Sequence, residues 1–237
     1  MKQSMTICIL MLTVFFLQIS QAQFQAGAFL GFKSYGLKAA GTVTSGGNRQ
    51  VTPVQDAGGT VFNFGGFGGY TAISEGVYNL DLQLKASYSS IGFLERGYNN
   101  IAGAGQFAAQ GASGAGTSIF EFDLLGLNRF TFRKFKIIEP YAGIGMSFNI
   151  YSTSDLTVSP QGQQSITRTG NSEFKLGLII TYGTLIRVSP GIAPYIQFSH
   201  LLGFGSTTQL TNDTQYTYIV NDVPGYFALS AGIRFDL

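Results

Sequence analysis

An all-β fold, an eight-stranded antiparallel transmembrane β-barrel, follows from three observations on this sequence. Stretches of ten or more residues alternate apolar and polar side chains, the period of a strand with one greasy face. Charged residues make up only 11% of the chain, well below the roughly 25% of a soluble domain. The last stretch, Gly225 to Leu237, keeps its apolar face to the final residue. There Phe227, Leu229, Ala231, Ile233, Phe235 and Leu237 oppose Tyr226, Ala228, Ser230, Gly232, Arg234 and Asp236. In water such a strand invites aggregation at its open edge. It makes sense where lipid meets the greasy face and another strand closes the edge, so it is expected to be the barrel-closing strand.

The chain begins with a segment that reads as a secretory signal peptide over residues 1–22. Lys2 supplies the positive end, Ile7 to Leu17 an apolar core, and Ser20 and Ala22 a small-x-small site before Gln23. That core is too short to span a bilayer of about 30 Å. Residues 23–237 are expected to form the barrel domain. The single cysteine, Cys8, lies in the leader, so the mature chain is expected to hold no disulfide, zinc-thiolate site or cysteine nucleophile. Hydrophobic residues reach 45% without a long apolar run after the leader, which argues against spanning helices. A formal charge of +2 with no basic cluster interleaved with aromatics argues against nucleic acid.

Alternation places the strands at about 24–38, 60–73, 77–91, 118–132, 137–151, 173–187, 192–202 and 224–237. The third is the clearest: Tyr78, Leu80, Leu82, Leu84, Ala86 and Tyr88 oppose Asn79, Asp81, Gln83, Lys85, Ser87 and Ser89. Its two tyrosines lie roughly 33 Å apart along a strand rising ~3.3 Å per residue. Tilted by about 40°, that is roughly 25 Å of membrane height, the height of a lipid-facing band. In the fourth strand Phe120, Phe122 and Leu124 oppose Glu121 and Asp123. In the sixth Phe174, Leu176, Leu178, Ile180, Tyr182 and Ile186 oppose Glu173, Lys175, Gly177, Thr181, Gly183 and Arg187.

Connections alternate between short ones near Ser74–Gly76, Arg133–Lys136 and Val188–Gly191 and long ones near 39–59, 92–117, 152–172 and 203–223. Short periplasmic turns and four long outer loops fit a barrel inserted from the periplasm, with both termini periplasmic. The long loops are rich in Gly, Ala, Ser, Thr, Asn and Gln, and are expected to bury little and to be mobile. A soluble lipocalin-like barrel or β-sandwich is the competing fold. Its strands would average about five or six residues, and its exterior would need more charge than this chain has.

The segment Glu139-Pro140-Tyr141-Ala142-Gly143-Ile144-Gly145 opens the fifth strand, and Ala193-Pro194-Tyr195 echoes it in the seventh. Proline suits a first strand position, which does not need its N–H. With the amphipathic terminal strand, these segments make the chain resemble the small porin-like outer-membrane β-barrels abundant in Bacteroidota, PorT-like barrels among them. The chain departs from that pattern by ending in Leu237 rather than an aromatic. The resemblance implies residence in the cell outer membrane. The partners expected there are membrane lipid and lipopolysaccharide, the barrel assembly machinery during biogenesis, and envelope proteins whose identity the sequence does not specify.

Candidate chemistry is sparse. His200 is the only histidine, and its neighbour Ser199 points to the opposite face of the strand, so an interfacial role is expected rather than catalysis. Gly65-Gly66-Phe67-Gly68-Gly69 and Gly143-x-Gly145 lack the following helix that a phosphate loop requires. Their glycines are expected to permit tight curvature or clearance for large neighbours. One histidine and no calcium-loop spacing leave no metal site or cofactor to expect. Asn212-Asp213-Thr214 matches a glycosylation sequon that carries no information in a bacterial barrel.

The remaining constellation is the inward charges: Asp81, Lys85, Glu121, Asp123, Glu173, Lys175, Arg187, Arg234 and Asp236. An eight-stranded barrel is just wide enough to be filled by its own side chains, and buried charges are tolerated when paired. These residues are therefore expected to form a structural network that plugs the lumen. If the third and fourth strands form a regular hairpin, numbers summing to roughly 209 face one another. Lys85 then lies across from about Leu124, on the face of Asp123 and within reach of Glu121. The expected function is a non-enzymatic barrel, structural, anchoring, or part of an envelope or secretion assembly. A narrow channel for small polar solutes is the alternative, and a lipid-active enzyme a weaker third.

Overall fold

A computed structural model describes residues 23–45, 48–51, 55–56, 59–91, 109–114, 116–132, 137–160, 166–203, 206–211 and 216–237. The expected leader, 1–22, lies outside them. Long alternating segments form eight principal strands: β1 (Gln23–Ser45), β2 (Gly59–Glu75), β3 (Tyr78–Ile91), β4 (Thr117–Phe130), β5 (Ile138–Thr153), β6 (Ser172–Ile186), β7 (Ile192–Gly203) and β8 (Tyr216–Asp236). Each pairs antiparallel with its neighbours in sequence. β8 returns to pair with β1, from Gln25 opposite Asp236 to Tyr35 opposite Tyr226. The sheet is thereby closed, and the principal strands have no open edge to protect.

Alternation sorts side chains by environment. Outward positions carry large exposed hydrophobics, including Leu30, Phe64, Leu84, Leu124, Ile144, Phe174 and Phe227. Water on such a surface would be strongly unfavourable, at roughly 25 cal/mol per Å² of apolar area. Lipid removes that cost. Tyr78 and Tyr88 flank the outward aliphatic positions of β3. Tyr78 donates its hydroxyl to Asn128 at 2.7 Å, and Tyr88 and Ser118 share a hydrogen bond at 3.2 Å. The β2–β3 connection is a two-residue turn, Gly76-Val77, whose glycine has φ +61°. Hairpin turns need this left-handed region, and only glycine enters it without steric cost.

The interior is less polar than the alternation suggests. Ile119, Leu125, Leu127, Ile179, Leu185 and Leu201 are buried inside the barrel. Inward glycines act as sockets for large neighbours, as expected. A Cβ at Gly65 would come 2.7 Å from the Phe29 ring, one at Gly183 2.6 Å from the Tyr141 hydroxyl, and one at Gly232 2.7 Å from the Tyr195 ring. Each missing side chain thus makes room for a ring that reaches into the lumen.

The segments expected as long connections contain short strands of their own. β1 and β8 run on together beyond a register shift between Gly36 and Lys38, with Lys38 opposite Asn221 and Val43 opposite Tyr216. Asn48–Val51 and Gln55–Asp56 pair with β1, and Ser206–Thr211 with β8. Ala109–Gly114, Leu156–Pro160 and Ile166–Arg168 form a separate three-stranded sheet. The segments Thr-Gln-Leu-Thr and Thr-Tyr-Ile-Val are β-branched and aromatic, compositions that favour strand over coil.

Candidate functional site in the barrel lumen

At the end of the barrel that carries the tight turns, six charged side chains form a ring. Arg129 of β4 binds Asp81 of β3 through Nε at 2.9 Å and Glu139 of β5 through Nη1 at 2.7 Å. Arg187, just after β6, grips the same Glu139 with two nitrogens, at 3.2 and 2.9 Å, and also bonds Asp236. Arg234 of β8 joins Asp236 at 2.6 Å to Asp81 at 2.7 Å and completes the circuit. Three guanidinium groups alternate with three carboxylates, so the formal charges cancel. Asp81 also accepts from the Thr71 hydroxyl at 2.7 Å. Buried ion pairs are tolerated when geometry and extra hydrogen bonds replace the lost water, and bidentate guanidinium–carboxylate bonds provide both.

Above the ring lies a layer of amides and rings. Gln83 donates to Gln25 at 3.0 Å, and Tyr141 donates to Gln197 at 3.2 Å. Phe67 and Tyr195 meet edge-on at 5.9 Å between ring centres. They border a small pocket in the lumen with Gln83, Tyr141 and Gln197.

A second charged cluster sits toward the loop end. Lys33 of β1 crosses the lumen to Glu121 of β4 at 3.0 Å and donates to Ser87 at 3.1 Å. Tyr226 donates to the same carboxylate oxygen at 2.7 Å and offers its ring face to Lys33, 4.7 Å from the centroid. Tyr35 stacks edge-on against Tyr226 at 5.3 Å and shares a hydrogen bond with Ser89. Lys33 and Glu121 are each only 1% exposed, so neither charge has water to fall back on.

Of the residues singled out from sequence, Asp81, Arg187, Arg234 and Asp236 come together in the ring. Glu121 belongs to the second cluster, while Glu173 and Lys175 pair with each other at 3.4 Å on β6. The expected register of β3 against β4 is off by one: Lys85 faces Asp123, not Leu124. The centre of the hairpin cannot be counted to one residue when its connection spans 92–116. Despite that register, Lys85 makes its close contact with the Phe29 ring, at 4.3 Å from the centroid. In the terminal strand Phe227, Leu229, Ile233, Phe235 and Leu237 are all exposed on the outer face.

Sequence reasoning did not single out Lys33, Arg129 and Glu139 as members of the charge network. Parity was the available signal. Lys33 shares a face with Phe29 and Tyr35, Arg129 with Asp123, and Glu139 with Tyr141. His200 and Ser199 do fall on opposite faces. His200 stacks outside the barrel on Phe227 at 4.1 Å, while Ser199 is buried inside with Thr181 and Gln197.

With this geometry in hand, known proteins can be compared. No protein-family model matches the chain, and no curated protein matches it. Solved structures do. The outer membrane protein OprG from Pseudomonas aeruginosa is 10% identical with a TM-score of 0.52, over 91% of this chain and 97% of that one. Neisserial surface protein A is 14% identical with a TM-score of 0.44, over 89% and 97%. The outer membrane protease OmpT from Escherichia coli is 10% identical with a TM-score of 0.31, over 90% and 97%. Of these, the likeness to OprG carries the argument, and it concerns fold. The chain has the closed eight-stranded architecture of an outer-membrane β-barrel protein.

Proposed function

We propose that this protein is a non-enzymatic barrel of the outer membrane, anchored by its apolar exterior, that presents its loop end as a structural element or as part of an envelope or secretion assembly. Residues 1–22 are its signal peptide and 23–237 its barrel domain. The Glu139–Gly145 and Ala193–Tyr195 segments support kinship with the porin-like barrels of Bacteroidota. Its partners in this reading are lipid and lipopolysaccharide, the barrel assembly machinery and a neighbouring envelope protein. The observation that carries the reading is the occupied lumen: a closed ring of six charges at the turn end, with buried rings and aliphatic side chains above it. A lumen so filled leaves the loop end as the part able to meet a partner.

Planar-bilayer recording tests the closed lumen against the channel alternative. The intact mature barrel should show no steady conductance. Reproducible ion-selective openings that change with Lys85→Met would promote the channel.

Orientation has its own test. The mature chain lacks cysteine, so single cysteines at Gly105, Gln163 and Glu75 can be labelled on intact cells. Positions 105 and 163 lie outside the described residues; Glu75 ends β2 at the tight turn. Labelling at 105 and 163 but not at 75 is expected for periplasmic turns and termini. The opposite pattern would invert the barrel.

A further inference from the structure

We propose that Gln23, once the leader is removed, cyclises to pyroglutamate, so that the first strand of the barrel begins with a neutral lactam. The inference rests on the reading of residues 1–22 as a signal peptide, cut between Ala22 and Gln23. That cut gives Gln23 a free α-amine within reach of its own side-chain amide. The α-nitrogen attacks Cδ; the N–Cδ bond forms, the Cδ–Nε2 bond breaks, and Nε2 leaves as ammonia with a proton from the amine. Both reacting groups belong to one residue and close an unstrained five-membered ring, which removes much of the entropic part of the barrier. No co-reactant is needed, and the escape of ammonia makes the step irreversible.

The fold leaves room for that ring. Gln23 is exposed, whereas Gln25, on the same face, is buried and accepts from Gln83 at 3.0 Å. The backbone of Gln23 stands in the sheet, in register with Thr71 of β2. A lactam keeps one N–H and the residue's carbonyl, the backbone groups of an ordinary strand residue. Beside it Phe24 is half exposed on the lipid-facing side and packs on Tyr70, 6.5 Å between ring centres. An ammonium next to such a surface loses hydration, a cost that falls much less on a neutral amide.

The competing arrangement is an ion pair between the chain ends. The Leu237 N–H donates to the Phe24 carbonyl at 2.8 Å, which brings the end of β8 alongside the start of β1. A free α-ammonium could there meet the terminal carboxylate. Exposed ion pairs contribute little, and a reversible pair delays an irreversible loss of ammonia without preventing it. The same hydrogen bond gives the lactam a role. It extends the β1–β8 seam past Gln25 and Asp236, and trimming of Gln23 and Phe24 would delete its acceptor. A lactam presents no free amine to an aminopeptidase, so this end of the closing seam is capped.

The test is the intact mass of the mature protein purified from its native outer membrane, taken before digestion so that no ring forms in the tube. The expected mass is that of residues 23–237 less one ammonia, with the loss confined to the tryptic peptide Gln23–Lys33. Gln23→Asn, which could close only a strained four-membered ring, should show no loss and should react with amine reagents at residue 23. A parent mass equal to residues 23–237 with no loss overturns the lactam and leaves the signal peptide standing. A chain that starts at another residue, or keeps its leader, overturns the signal-peptide reading and the lactam with it. If Gln23→Asn is not exported, the parent mass decides alone.

Discussion

Replacing Asp81 with alanine is expected to cost the barrel about 3–5 kcal/mol, the typical penalty for removing one partner of a buried ionic network. Asp81 is the acceptor through which β2, β3, β4 and β8 are tied, from Thr71, Arg129 and Arg234. Without it, Arg129 keeps Glu139 and Arg234 keeps Asp236, but each guanidinium is left with donors that no acceptor meets. Asp81→Asn should cost less, because the amide oxygen still accepts. Adding Arg234→Met to Asp81→Ala should recover part of the loss by removing one stranded charge. Urea unfolding of the folded barrel, with the gel shift between heated and unheated samples as a second readout, measures all three. A parent-like midpoint for Asp81→Ala would mean that the ring contributes nothing to stability.

Lys33→Met should be comparably damaging, again about 3–5 kcal/mol, for a different reason. Methionine fills a similar volume but brings no charge. Glu121 would then rely on hydroxyl donors alone, Tyr226 at 2.7 Å and Ser87 at 3.3 Å. Its other oxygen already lacks a donor among the described side chains, so the buried carboxylate would lose its one cationic hydrogen-bond partner. Glu121→Gln in the same background should restore part of the stability, and the two single changes with the double one form a cycle that isolates the pair. Additive losses would show that Lys33 and Glu121 do not act on one another. An unchanged midpoint in Lys33→Met would show the lumen to be wetter than its packing implies.

These two clusters also mark where sequence reading stops. The period-two alternation in Tyr78–Ser89 and Gly225–Leu237 is local, because each side chain's face follows from its parity along one strand. It sufficed for the number of strands, the lipid-facing band and the inward placement of Asp81, Lys85, Glu121 and Asp123. Parity does not say which inward residues meet. Arg234 reaches Asp81 across 153 residues of chain, and Tyr226 reaches Glu121 across 105. Those meetings depend on closure of β8 against β1, and on a register that one residue's error at the hairpin centre already shifts.

Parity also fails where both faces are apolar. Leu125 follows Leu124, and Ile179 precedes Ile180. In each pair one side chain faces lipid and the other is buried in the lumen beside residues from other strands. From its sequence alone, this chain is determined as a closed antiparallel barrel with a greasy exterior, because strand periodicity and the cost of an open edge are local constraints. The tertiary structure alone decided that arginines and carboxylates from five segments meet in one alternating ring, and that Lys33 reaches Glu121 across the lumen. Those features are set by tilt, register and cross-lumen distance, which no single strand encodes.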